Sequence, residues 1–248
     1  YEISECLVGS DSLSYVYRLD EKYWLMMLDS CMCEPVHETG GKLSEETVAW
    51  MKTQLEEAKK QGVTVIPVSH HNLLDESTLY PEECTIENTK EVTALLEAYG
   101  VPVYLSGHLH LQRIKKHTSN LNTPGGYGIR EIVTSPLPMA PCQYSILNWQ
   151  VDGSLSYHTK KVDIAGWAQR YGEEDENLLN FDAYADQFLV DVISEQTFKA
   201  LQSASKDIKE EMARLYADMN RDYCSGTKID VAKIRKSEAY QYLSLIHI

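Results

Sequence analysis

Three short apolar runs, separated by two stretches of helical periodicity, constrain this chain more than any other feature. Residues 23–28, 63–68 and 101–105 are near-continuous apolar segments, as strands covered on both faces are. Between the first two, Ser44 suits an N-cap, and Glu45 and Glu46 suit the positive end of a helix. Val48, Met51, Leu55 and Ala58 then recur at helical spacing, Lys59 and Lys60 suit the last turn, and Gly62 the position just past it. Between the second and third runs, Asn88-Thr89-Lys90-Glu91 reads as a capping box with Asn in place of Ser or Thr. Val92, Leu95, Leu96 and Tyr99 continue as an apolar stripe, and Gly100 stops the helix. Strand–helix–strand–helix–strand implies a layered α/β architecture.

The texture changes on either side. Residues 12–19 alternate weakly and end at Asp20-Glu21-Lys22, a turn signal. Beyond residue 110, segments 111–116, 127–134, 142–149 and 154–162 read as strands, and Asp152-Gly153 suits a hairpin turn between the last two. Residues 163–177 read as a charged connector. Residues 178–202 and 205–219 read as helices, with Phe181, Phe188, Leu189, Val192 and Ile193 as core contacts.

Composition excludes several classes. At 43% hydrophobic and 24% charged over 248 residues, the chain is globular rather than disordered. A formal net charge of −14 repels phosphate backbones, which argues against general nucleic-acid binding but not against a small phosphorylated substrate held through metal ions. No apolar run reaches the ~20 residues of a membrane span. The 6 cysteines are scattered, with only Cys31 and Cys33 close together, and read as free thiols, although the count alone does not exclude disulfides.

Two clusters carry chemistry by position as well as type. Ser69-His70-His71-Asn72 directly follows one expected buried strand, and Ser106-Gly107-His108-Leu109-His110 follows another. In open α/β sheets, ligands bind beyond the carboxyl ends of strands. Half of the chain's 8 histidines stand in these two loops, and imidazole suits Zn, Mn, Fe, Co or Ni. Gly107 is expected to let the chain turn sharply there. His108 and His110 would share a face in extended backbone, whereas a bend would aim them apart. His37 and His117 read as surface groups, and His158 as a strand residue. Lys115 and Lys116 read as solvated, or as an attraction for an anionic substrate.

These two motifs, in this order and strand context, resemble the C-terminal half of a calcineurin-like metallophosphoesterase, over residues 12 to 162. The resemblance implies a β-sandwich of two layered sheets flanked by helices, lacking its first strands, with a helical extension over 163–242. It implies two divalent or trivalent metal ions, with Mn, Fe or Zn favoured. His70 and His108 would bind one metal and His110 the other. His71 would contact phosphate or support the ligands, or else merely cap its loop. The implied activity is hydrolysis of a small phosphorylated substrate, phosphodiesters ahead of monoesters, by a hydroxide that the two metals share.

The family's remaining ligands belong to Asp-x-His, Gly-Asp-x-x-Asp and Gly-Asn-His motifs, none of which occurs here. The chain, which begins at Tyr1, is therefore expected to be a fragment with weak metal binding and negligible turnover. Asp29 ends a strand but lacks the right motif context. Residues 243–248 (Leu-Ser-Leu-Ile-His-Ile) resemble the in-frame translation of a sequencing-library adapter, or else form an ordinary apolar tail. The alternative to an enzyme is a degenerate metallophosphoesterase-like binding module. A metallo-β-lactamase would need Asp and His where Gln112 and Arg113 stand. Compartment and oligomeric state are left open.

Overall fold

The structure, a computed structural model, describes residues 5–6, 12–33, 38–75, 84–117, 128–150, 152–201 and 205–245, with the backbone alone for 5–6 and 243–245. His37 and the last three residues of the tail lie outside that set. The chain divides into two compact units: one holds the residues up to Leu109 together with 113–134, and the other holds 110–112 and the residues from Ser135 on.

The first unit is an α/β layer built on a seven-stranded sheet in the order β1-β2-β3-β4-β5-β7-β6. Its strands are β1 (Glu5–Cys6), β2 (Tyr15–Arg18), β3 (Tyr23–Met27), β4 (Thr64–Val68), β5 (Val103–Ser106), β6 (Arg113–Lys116) and β7 (Arg130–Val133). β3, β4, β5 and β7 run parallel, and β1, β2 and β6 pair antiparallel at the edges. Parallel neighbours need long crossovers. Helices α1 (Glu45–Gln61) and α2 (Thr89–Ala98) lie in the β3–β4 and β4–β5 connections.

α1 forms as its end signals dictate. Ser44 Oγ accepts from the Thr47 amide at 3.1 Å, and Gly62 closes the helix in the left-handed region at φ 71°. α2 starts differently from expectation. The Asn88 side chain makes no cap; its amide donates to the Leu43 carbonyl at 2.9 Å and its carbonyl accepts from the Leu43 amide at 3.2 Å. It pins the approach to α1 instead.

Trp24 and Met26 of β3, Met51 and Leu55 of α1, and Leu96 of α2 belong to one buried core. Each such side chain contributes about 1.5–3 kcal/mol on burial. β4 is buried at three successive residues, Val65, Ile66 and Pro67. β3 alternates instead: Trp24 and Met26 are buried, but Tyr23, Leu25 and Met27 are only half-buried, so the expected cover on both faces is incomplete there.

The second unit carries a two-stranded sheet, β8 (Gln143–Trp149) and β9 (Leu155–Lys161), in antiparallel register. Gly153 takes φ 81° in the turn between them. Six helices follow: α3 (Ile164–Tyr171), α4 (Glu176–Leu179), α5 (Phe181–Ala200), α6 (Lys206–Ser225), α7 (Val231–Arg235) and α8 (Glu238–Leu245). The expected connector over 163–177 therefore holds a helix. Asp163 caps α3 through the Gly166 amide at 2.9 Å, and a Cβ on Gly166 would come within 2.2 Å of that carboxylate. The glycine that reads as a helix weakener is what admits the cap. The helix expected over 178–202 breaks at Asn180, between α4 and α5, and α6 runs past residue 219 until Gly226 stops it in the left-handed region. Phe188, an expected core contact, is exposed, whereas Leu189, Val190 and Thr197 are the buried residues of α5. Among the described residues, no helix is long and apolar enough to cross a membrane.

Candidate metal centre

The two histidine loops leave the same end of adjacent parallel strands. β4 ends at Val68 and β5 at Ser106, and the ladder continues past both: Ser69 N–H donates to the Leu105 carbonyl at 3.0 Å, and Gly107 N–H to the His70 carbonyl at 3.0 Å. The sharp turn expected at Gly107 falls one residue later. A Cβ on Gly107 would meet nothing closer than 3.8 Å, and its φ is ordinary. His108 instead adopts φ 63°, and His110 φ 54°. A non-glycine residue in the left-handed region is uncommon, and such strain concentrates at functional sites. The backbone across these histidines is bent rather than extended.

The bend brings side chains together. The donor atoms of His70, His71 and His108 all lie within 4.8 Å of one another, the one such group among the described residues. His70 Nε2 and His108 Nδ1 are hydrogen-bonded to each other at 3.0 Å, so one of the two carries the shared proton. Two imidazole nitrogens held ~2.1 Å from one tetrahedral cation stand ~3.4 Å apart. Once that proton leaves, the two nitrogens are near enough to turn to one cation, with His70 exposed and His108 half-buried.

His71 is built differently. Its side chain is buried, and its ring lies 5.0 Å from that of His70 and 4.7 Å from that of His108, centroid to centroid. Both ring nitrogens are engaged inside the protein. Nε2 lies 3.0 Å from the Thr39 carbonyl, which can only accept, so Nε2 carries the proton. Nδ1 accepts from the Ser30 hydroxyl at 2.8 Å, and Ser30 Oγ in turn accepts from the His71 amide at 3.3 Å. Burial pushes the His71 imidazole below its ordinary value; the Thr39 contact opposes this, and His108 and His70 reinforce it. Gly41 presses on the ring so closely that a Cβ there would sit 2.3 Å from His71 Cγ.

The loop carrying His70 and His71 is anchored at several points. Tyr104, fully buried, donates to Ser69 Oγ at 2.7 Å, and Ser69 Oγ donates to the His71 carbonyl at 2.6 Å. Burial drives the Tyr104 hydroxyl's pKa upward. Asn72 donates to Ser106 Oγ at 2.9 Å, and its own buried Oδ1 has no partner among the described residues. Thr89 Oγ1 donates to the Leu73 carbonyl. Glu131, wholly buried in β7, accepts from the Leu73 and Leu74 amides and the Ser106 hydroxyl.

The other residues singled out by sequence fall elsewhere. His110 belongs to the second compact unit, where its carbonyl accepts from Cys224 Sγ at 3.0 Å. Asp29 uses one carboxylate oxygen on the Leu13 amide and the other on the Cys31 amide. His117 lies 3.4 Å from Glu97, and His158 is exposed on β9. Cys31, Cys33, Cys142 and Cys224 are free thiols. Sequence reasoning missed Ser30, Thr39, Gly41 and Glu131, none of which sits in a motif. The one available signal was Glu131, a carboxylate followed directly by the apolar Ile132 and Val133 of its strand.

Residues 163–246, about a third of the chain, match a family model described as the C-terminal domain of cyclic nucleotide phosphodiesterase. No curated protein matches the chain by sequence. Among solved structures, a dimetal phosphatase from Danio rerio is similar over 53% of this chain and 51% of its own, at 15% identity and a TM-score of 0.41. A protein provisionally assigned as a 5′-nucleotidase from Staphylococcus aureus, in complex with alpha-ketoglutarate, is similar over 75% of this chain and 37% of its own, at 13% identity and a TM-score of 0.39. The chain thus spans about half or less of the solved structures it matches. All three descriptions belong to phosphoester hydrolases.

Proposed function

We propose that this chain is part of a metal-dependent phosphoester hydrolase, acting on phosphodiesters ahead of monoesters. The observation that carries the reading is the 3.0 Å approach of His70 Nε2 to His108 Nδ1 at the carboxyl ends of two adjacent parallel strands. The match of residues 163–246 to a domain described from cyclic nucleotide phosphodiesterase supports the phosphodiester preference. Divalent cations bound at such a centre supply Lewis-acid activation of water and neutralise phosphate charge.

Each residue of the chain has a stated part in this reading. His70 and His108 present their facing nitrogens to one cation. His71 is not a ligand, because Ser30 and Thr39 occupy both of its nitrogens; it packs the pair from behind and stays neutral. His110 is proposed as a ligand to a second cation. The other ligands of a dinuclear site, absent here as motifs, would come from beyond these 248 residues. A two-histidine site binds metal weakly, so the chain alone is expected to show little turnover.

Titration with Co2+, together with hydrolysis of bis(p-nitrophenyl) phosphate, tests this. The expected result is weak Co2+ binding that either His70→Ala or His108→Ala reduces by about tenfold or more, with negligible hydrolysis. Binding indifferent to both substitutions would contradict the assignment of the pair. Tight binding of two metals with strong hydrolysis would contradict the reading of an incomplete centre.

A further inference from the structure

The two histidines sit on different loops, one after β4 and one after β5. What joins them is a buried carboxylate. Glu131 stands on β7, paired in register with Tyr104 of β5, and is 0% exposed. Its Oε1 accepts from the Leu73 amide at 2.6 Å and from the Ser106 hydroxyl at 2.6 Å, and its Oε2 accepts from the Leu74 amide at 2.7 Å. Leu73 and Leu74 follow His70-His71-Asn72 directly; Ser106 precedes Gly107-His108 directly. Asn72 closes the ring by donating to Ser106 Oγ at 2.9 Å and lying 3.5 Å from the Gly107 carbonyl.

A carboxylate is costly to bury unless hydrogen bonds replace its water. Ile132 and Val133, which follow Glu131 in β7, are the apolar residues a buried strand favours, whereas Arg130 before it is exposed. Glu131 is thus an expensive choice for packing alone, and all three of these bonds run to the loops that carry His70 and His108. We infer that Glu131 is the positioning residue of the pair, one carboxylate fixing both loops so that His70 Nε2 and His108 Nδ1 face each other within reach of a single cation. This rests on the metal-site reading above. Gln is isosteric but replaces one acceptor oxygen with a donor, which would face an amide or hydroxyl that also donates.

The test compares the full chain with Glu131→Gln, Ser106→Ala and Leu55→Ala. The last is a core truncation in α1, outside both loops, that supplies a loss of stability. Two quantities are read: Co2+ affinity, and the urea midpoint of the metal-free protein in EDTA. Glu131→Gln and Ser106→Ala are expected to weaken Co2+ binding about tenfold or more. Leu55→Ala should lower the midpoint yet change affinity by less than about twofold. If Glu131→Gln does not fold, Ser106→Ala carries the comparison. Wild-type affinity in a folded Glu131→Gln chain would overturn the inference, as would an equal loss of affinity in Leu55→Ala. Wild-type binding that ignores His70→Ala and His108→Ala would overturn the metal reading itself, an outcome separate from either.

Discussion

At the scale of single residues, His71 shows how much a neighbouring loop decides. Gly41 leaves no room for a methyl group beside its ring, since a Cβ there would lie 2.3 Å from Cγ. Gly41→Ala must therefore displace the imidazole or the loop, and a destabilisation of about 1–3 kcal/mol by urea unfolding is expected. His71 also sets a pH dependence. Folding lowers its proton affinity, so as pH falls the unfolded chain takes up the proton first. The associated stability is complete above the ordinary histidine value of about 6.5 and declines below it. His71→Gln should flatten that decline between about pH 7 and pH 5; superimposable stability profiles for variant and wild type would contradict the assignment. Identity and strand context made His70, His71 and His108 legible as a group. The bonds of His71 were not, because Ser30 and Thr39 reach it from far away in the chain and belong to no motif. Gly107 misled for a related reason: residue type suggested the turn, but the left-handed backbone falls on His108.

At the scale of elements, end signals worked where a side chain had one use and failed where it had two. Ser44 and Gly62 bound α1 as their chemistry predicts. Asn88 looks like a cap but spends its amide group on both backbone atoms of Leu43. Asn88→Ser, an improvement by helix-capping preference, is therefore expected to destabilise the chain by about 1–2 kcal/mol, because Ser cannot accept and donate across that gap. A urea midpoint at or above wild type would show that capping, not the Leu43 bridge, governs the position. The parallel strands β3, β4 and β5 were visible as apolar runs because cover by helices demands such composition. α3 was hidden because its start depends on the Asp163–Gly166 contact, which propensity scores as a weakness. Phe188 was misplaced because hydrophobicity alone does not say which of Phe188, Leu189 and Val190 faces inward.

At the scale of the whole molecule, the family-model match falls on the second compact unit while the histidine pair lies in the first. The net charge of −14 fits a chain that meets phosphate through cations rather than through a basic surface. The central claim is that His70 and His108 share one cation while His71 stands behind them as a neutral, fully bonded ring. It is tested most directly by following the imidazole nitrogens by NMR through a Zn2+ titration. The account predicts that His70 Nε2 and His108 Nδ1 shift together, with one stoichiometry, while the His71 nitrogens keep the signature of an Nε2-protonated neutral ring. A titration in which His70 and His108 respond independently or not at all, or in which His71 loses that signature and binds the metal, would contradict it.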